Sequence, residues 1–320
     1  MAIPRKNAYV SLAVGIALLA LILFLLIMSY AKLRTAQTRE QTKNDAGKLQ
    51  VLVAVAPCAY LVERVGGDAV DVAVLTPEGK SPETFAPSPS QLANFAATRV
   101  FFVTGTPVES RFVDNIKSIA PKALVVDLRE GVETLADEHR HEDGDADSGD
   151  DAIDPHLWTS VSIAIGIAQT ARDVLSQIDP ANATLYAANA QTLVDELNAL
   201  ERETADALAP YKGRFFVVFH PAYGYYAREF GLSQRALETD GKAPRPRELE
   251  ALVADAKDEN VRAIIVQPEF NRSAAQVVAD ALGAKLIEHS PLERDYFRNV
   301  RSLTDAILES FGDDSASANE

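Results

Sequence analysis

Cysteine is almost absent from this chain. Among 320 residues there is one, Cys58, so no internal disulfide can form; a small core residue is its expected role. Positive charge is in deficit: 31 Lys and Arg stand against 46 Asp and Glu, for a formal net charge of -15 at pH 7. Nucleic-acid binding is driven by basic surfaces that neutralise phosphate, so this balance argues against nucleic acid as a partner. No H-E-x-x-H, G-x-S-x-G or G-x-G-x-x-G motif occurs, which removes common signatures of zinc proteases, serine hydrolases and dinucleotide enzymes. Histidine is scarce as well: His139, His141, His156, His220 and His289 are the five.

One long apolar run is present. Asn7 to Ala31 carries no charge, and Tyr9 to Met28 is almost wholly apolar. A bilayer span needs about 20 such residues. Arg5 and Lys6 precede the run, as in a signal peptide or signal anchor. Its apolar core exceeds the roughly 7–15 residues of a cleavable signal, and no cysteine near Met28 could accept a lipid. The expected reading of residues 1–31 is a retained membrane anchor, with cleavage after Ser29-Tyr30-Ala31 the alternative. Lys32, Arg34, Arg39 and Lys43 follow the span. A plain count of flanking charges would put that side in the cytoplasm; only the resemblance described below places it outside.

Beyond a polar linker (32–48), strand and helix patterns alternate. Apolar runs at Leu49–Ala56, Val70–Leu75, Val100–Thr104 and Ala123–Asp127 read as buried strands, with apolar helical patterns such as Ser90–Ala97 between them. Asp137–Asp151 interrupts the pattern with eight carboxylates, Arg140, His139 and His141; so charged a segment is expected to be a mobile loop that concentrates cations without forming the tight site. Ile163–Ile178 reads as a helix. A second, from Asn182 to about Leu208, carries Tyr186, Ala190, Leu193, Leu197, Leu200, Thr204 and Leu208 at a 3.6-residue period. Strands then return at Phe215–Phe219, Leu232–Leu237, Val261–Val266 and Lys285–Glu288, with helices over Arg247–Lys257, Ser273–Leu282 and Asp295–Ser310. The expected fold is α/β: a lobe over 49–181 with a parallel sheet, an inter-lobe helix over 182–209, a second such lobe over 210–312, and a polar tail over 313–320.

Polar groups sit where apolar strands end, the place where open α/β sheets bind ligands. His220 follows Phe215–Phe219 and precedes Pro221, which suits the first turn of a helix. His156 lies in Asp154-Pro-His-Leu-Trp158, and His289 follows the last strand. Glu83 lies in the proline-bounded loop Ser81-Pro-Glu-Thr-Phe-Ala-Pro87. Imidazole and carboxylate together suit zinc, manganese or iron. Singly, each has a plainer explanation: a histidine at a strand end is often a hydrogen-bonded structural residue, and a loop glutamate is usually solvated.

A larger set of motifs bears on these four residues. Ala56-Pro-Cys-Ala-Tyr-Leu61 is followed by Gly66-Gly-Asp68, the Ser81–Pro89 loop, Asp154-Pro-His-Leu-Trp158, Asp179-Pro180, Tyr186 and Asn189. Then come Phe219-His-Pro-Ala-Tyr-Gly-Tyr225, Gly241-Lys-Ala-Pro-Arg-Pro246, Val266-Gln-Pro-Glu-Phe270, Pro291-Leu292 and Asp295-Tyr296. In this order, from Val51 to Leu308, the sequence resembles the substrate-binding proteins of zinc and manganese ABC transporters. The resemblance implies two α/β lobes joined by one long helix, a divalent metal in the cleft between them, a monomer, and delivery to a membrane permease outside the cytoplasm. It carries two family histidines onto His156 and His220. The family's first histidine falls on Glu83, and its late acidic ligand falls on or beside Ser290, next to Glu288 and His289. The expected ligand set is therefore Glu83, His156, His220 and His289, with Glu288 the rival for the last place. More oxygen among the ligands shifts preference weakly from zinc toward manganese or iron.

Two other functions compete with metal capture for transport. A metallohydrolase would need an open metal position and a general base, nominally Glu83 or Glu269; stoichiometric binding without turnover separates it from the first reading. An adhesin or metal chaperone on the same scaffold is separated by whether permease and ATPase genes adjoin.

Overall fold

The structure is a computed structural model that describes residues 47–136, 153–238, 246–270 and 272–312. The expected anchor (7–31), the acidic loop (137–151) with its two histidines, and the tail (313–320) lie outside the described residues. Among the described residues, no helix is long and apolar enough to cross a membrane.

The first lobe contains β1 (Leu49–Val53), α1 (Ala56–Gly66), β2 (Val70–Val74), α2 (Pro89–Ala93), β3 (Val100–Val103), α3 (Pro107–Ile119) and β4 (Leu124–Asp127). Its sheet is parallel throughout, in the order β2-β1-β3-β4. β1 stops three residues before the expected Ala56. Pro57 is the reason: it occupies the first turn of α1 with Val55 as N-cap, a position where the missing N–H costs little. Gly66 ends α1 against β2, where a Cβ would meet Val70 Cγ2 at 2.3 Å.

Two long helices follow, α4 (Val161–Ile178) and α5 (Ala183–Leu208). The buried residues of α5 are Tyr186, Ala190, Leu193, Leu197, Leu200, Thr204 and Leu208, the seven positions its apolar period marks. Its 26 residues make a rod of about 39 Å at ~1.5 Å per residue. The second lobe repeats the first: β5 (Phe215–Val218), α6 (Gly224–Glu229), β6 (Ser233–Ala236), α7 (Pro246–Asp258), β7 (Ala263–Val266), α8 (Arg272–Leu282), β8 (Lys285–Glu288) and α9 (Tyr296–Ser310). Its parallel sheet runs β6-β5-β7-β8. α6 begins at Gly224, three residues beyond the turn expected at Pro221.

A single apolar cluster runs from β1 and α1 through α4 and α5 to β5, α6 and α9. Further clusters fill the other side of each sheet. Polar ties add direction to this shared core. Glu229 of α6 accepts from Ser160 Oγ (2.5 Å) and from the backbone N–H groups of Val161 (2.9 Å) and Ser162 (3.0 Å), so a second-lobe carboxylate caps the positive end of α4. Tyr225 Oη donates to Asp154 O (2.8 Å), Trp158 Nε1 to Pro291 O (2.9 Å) and Tyr296 Oη to Ser160 O (3.0 Å). Apolar packing and these bonds together set the distance across the cleft.

Candidate metal centre

Glu83 follows β2, His156 comes after β4 just past the Ala136–Ile153 bridge, and His220 stands two residues beyond Val218, the end of β5. Each lies beyond the carboxyl end of a parallel strand, and there they meet. Glu83 Oε1 is 2.7 Å from His220 Nε2 and 3.6 Å from His156 Nε2. The two imidazole centroids are 5.3 Å apart. Each residue offers one ligand atom, and the three atoms lie within 4.8 Å of one another. Both histidines are 3% exposed, whereas Glu83 is only partly buried.

Each side chain is held from behind. Arg111 on α3 donates from Nη2 to the carbonyls of Glu83 (2.9 Å) and Phe85 (3.1 Å), so the Glu83 loop is stapled as well as bounded by prolines. Asp154 Oδ1 accepts from the His156 backbone N–H at 2.9 Å and faces its Nδ1 at 2.8 Å. The turn Leu157–Thr159 follows, with the Trp158 ring edge-on to His156 at 5.3 Å. His220 is clamped through its main chain: its N–H donates to Gln267 Oε1 (3.1 Å), and Gln267 Nε2 donates to its carbonyl (2.7 Å). Phe270 stacks on the His220 ring, centroids 4.6 Å apart. Glu238 Oε1 lies 3.3 Å from His220 Nδ1. Both rings therefore turn Nδ1 toward a buried carboxylate and Nε2 toward Glu83, the arrangement in which an outer carboxylate fixes the tautomer of a metal-binding imidazole.

The electrostatics follow from this placement. Burial would lower the His156 pKa, but the charge and hydrogen bond of Asp154, then those of Glu83, push it up to about 10. Burial likewise opposes a charged His220, and Glu238 and Glu83 outweigh it, so that its pKa is raised. Burial would raise the Glu83 carboxyl; the two imidazoles overcome that and hold it well below the usual carboxylate range. The pocket is a place of concentrated negative charge with borderline imidazole nitrogen donors, suited to a divalent cation. Outer carboxylates of this kind are worth roughly 10–100-fold in metal affinity. Asp154→Asn and Glu238→Gln are each expected to weaken divalent-metal binding within that range, as read by competition with a fluorescent chelator.

The structure does not bring His289 to this group. His289 is buried, with Nε2 donating to the carbonyl of Asn299 at 3.1 Å and Nδ1 taking the Tyr223 hydroxyl at 3.0 Å. Burial lowers its pKa to about 4, so the ring is neutral. Both of its nitrogens are taken by these partners, and neither joins the Glu83 group. Glu288 is exposed, 4.0 Å from Arg272. Sequence reasoning quoted Asp154 and Gln267 inside motifs without a role, and it missed Arg111 and Glu238. No spacing signal marks either one, because each reaches the site from a separate element.

Comparison with known proteins places this geometry in context. Residues 51–310 match the family model described as the periplasmic zinc-uptake complex component A. A curated zinc-binding protein, AdcA of Streptococcus pyogenes serotype M3, is 26% identical over 310 residues, covering 88% of this chain and 60% of the relative. The chain thus spans about 60% of the length of the curated relatives it matches first. Among solved structures, a zinc-bound deletion mutant of ZnuA is similar, with TM-score 0.76 and 28% identity, covering 82% of this chain and 98% of the other. The manganese complex of FpvC from Pseudomonas aeruginosa is similar too, with TM-score 0.70 and 25% identity, covering 84% of this chain and all of the other, 100%.

Proposed function

The chain belongs to the family of periplasmic zinc-uptake binding components, and from that premise we propose that it captures a divalent metal outside the cytoplasm and hands it to an ABC-transporter permease. Family membership makes it a binding protein and not an enzyme. The observation that carries the reading is the convergence of Glu83, His156 and His220, three ligand atoms within 4.8 Å, drawn from both lobes. In this reading those three side chains hold the ion. Zinc is the favoured cargo, because two imidazoles and a carboxylate suit its borderline character and zinc outranks manganese and iron for such donors. Manganese and iron are the alternatives. The apolar segment Asn7–Ala31, if retained, would tether the lobes beside the permease and raise their effective concentration there.

Metal analysis and calorimetry test the reading together. Protein purified without added metal is expected to carry zinc in excess of manganese and iron, and the stripped protein to take up one zinc per chain. Absence of stoichiometric binding for all three metals would refute it.

A further inference from the structure

Three donors leave a four-coordinate zinc one ligand short, and His289 does not fill the place. We propose that Glu269 is the fourth ligand, an arm parked on Ser290 that swings onto the captured ion. This rests on the reading of Glu83, His156 and His220 as the capture site.

Glu269 follows β7 in Gln267-Pro-Glu-Phe270, on the sheet edge that also delivers His220. Its neighbours are already committed to that histidine: Gln267 clamps the His220 main chain at 3.1 and 2.7 Å, and Phe270 stacks on its ring at 4.6 Å. The backbone of Glu269 is thereby pinned beside the site while its side chain extends from between them. Glu269 lines the same small cleft as Glu83, His156 and His220.

Its present contact is a single neutral one. Ser290 Oγ donates to Glu269 Oε1 at 2.6 Å. Among the described residues, Glu269 has no salt bridge to Lys, Arg or His, whereas Glu288 on the neighbouring strand faces Arg272 and is exposed. A half-buried carboxylate without a cation, in a cleft that already gathers two imidazoles and a carboxylate, has an unmet electrostatic demand. The charge count agrees: with two neutral imidazoles, Glu83 and Glu269 together balance a dication, and the donor set becomes two nitrogens and two oxygens. Glu269 lies outside the three-residue group as it stands, so side-chain rotation must carry it in. Ser290 fixes where that motion starts.

The test is zinc affinity and the cobalt(II) visible spectrum of the wild type, Glu269→Gln and Glu288→Gln. Glutamine is isosteric and keeps an acceptor for Ser290, and equal apo melting temperatures check that the fold is kept. Glu269→Gln is expected to weaken zinc binding at least tenfold and to change the intensity of the cobalt d–d bands, with Glu288→Gln within twofold of the wild type. Unchanged affinity and spectrum in Glu269→Gln overturn the proposal, and so does an equal loss in Glu288→Gln, which would mean only a diffuse charge effect. A wild-type chain that binds no divalent ion fails earlier, at the capture reading itself, before any variant is compared.

Discussion

His220→Ala is expected to lower zinc affinity by about a hundredfold or more, while His289→Ala leaves it within about threefold. The bound on the first comes from the carboxylate behind the ring: losing an outer carboxylate costs roughly 10–100-fold, so losing the nitrogen it orients must cost at least as much. His220→Ala also leaves Glu238 buried opposite a void, only 5% exposed. His289→Ala acts elsewhere. It removes one hydrogen bond each from the buried Tyr223 hydroxyl, which keeps the backbone carbonyl of residue 289, and from the Asn299 carbonyl, which keeps Ser302 Oγ, at about 0.5–1.5 kcal/mol apiece, so the loss falls on folding stability. Calorimetry and urea denaturation of the two variants separate the effects. A large loss of zinc affinity in His289→Ala would restore it to the site.

His289 also gives the fold a pH dependence whose sign is fixed. Its pKa is lowered on folding from 6.5 to about 4, so between those values the unfolded chain binds the proton and the native one does not. The contribution is present above about pH 6.5 and is lost as pH falls toward 4, by at most about 3–4 kcal/mol at 1.36 kcal/mol per unit. In His289→Asn this component of the acid sensitivity should vanish.

The contrast between His220 and His289 marks how far the sequence could be read. Both histidines end a strand of the second lobe, and local pattern treats them alike. Apolar runs and the 3.6-residue period located the eight strands and α5 with its seven buried positions, because burial writes itself into periodicity. Strand ends then showed which edge of each sheet faces the cleft. What periodicity does not encode is the azimuth of a side chain beyond the last strand residue. His220 turns into the cleft because Gln267 and Phe270, 47 and 50 positions away in sequence, clamp and stack it. His289 turns away because Tyr223 and Asn299 take both its nitrogens. α6, six residues long, offers too few turns for a clear apolar stripe; α3, thirteen residues, carries the stripe Val108, Phe112, Ile116 and Ile119, but that period does not encode that Arg111 on it reaches the Glu83 loop.

Trp158→Ala is the second large effect expected, and it falls on the frame and the site at once. Trp158 is 1% exposed, and removing a buried aromatic of this size costs about 3–5 kcal/mol through lost burial and the cavity left behind. The residue also joins the lobes. It belongs to the Asp154–Trp158 motif of the first lobe, yet its Nε1 donates to Pro291 O beyond β8 of the second, and its ring edge walls His156. A cavity there loosens the ring that Asp154 aligns, so zinc affinity should fall together with stability. Trp158→Phe keeps much of the apolar contact and loses the hydrogen bond, so its cost should be about 1–2 kcal/mol. Because Trp158 is the one tryptophan of the chain, its emission reports on the site directly: cobalt(II) bound at His156 should quench it, with an end point at one ion per chain. Stability of Trp158→Ala within about 1 kcal/mol of the wild type would show that the lobes do not depend on this contact. Quenching that stays linear in cobalt without an end point would place the metal elsewhere.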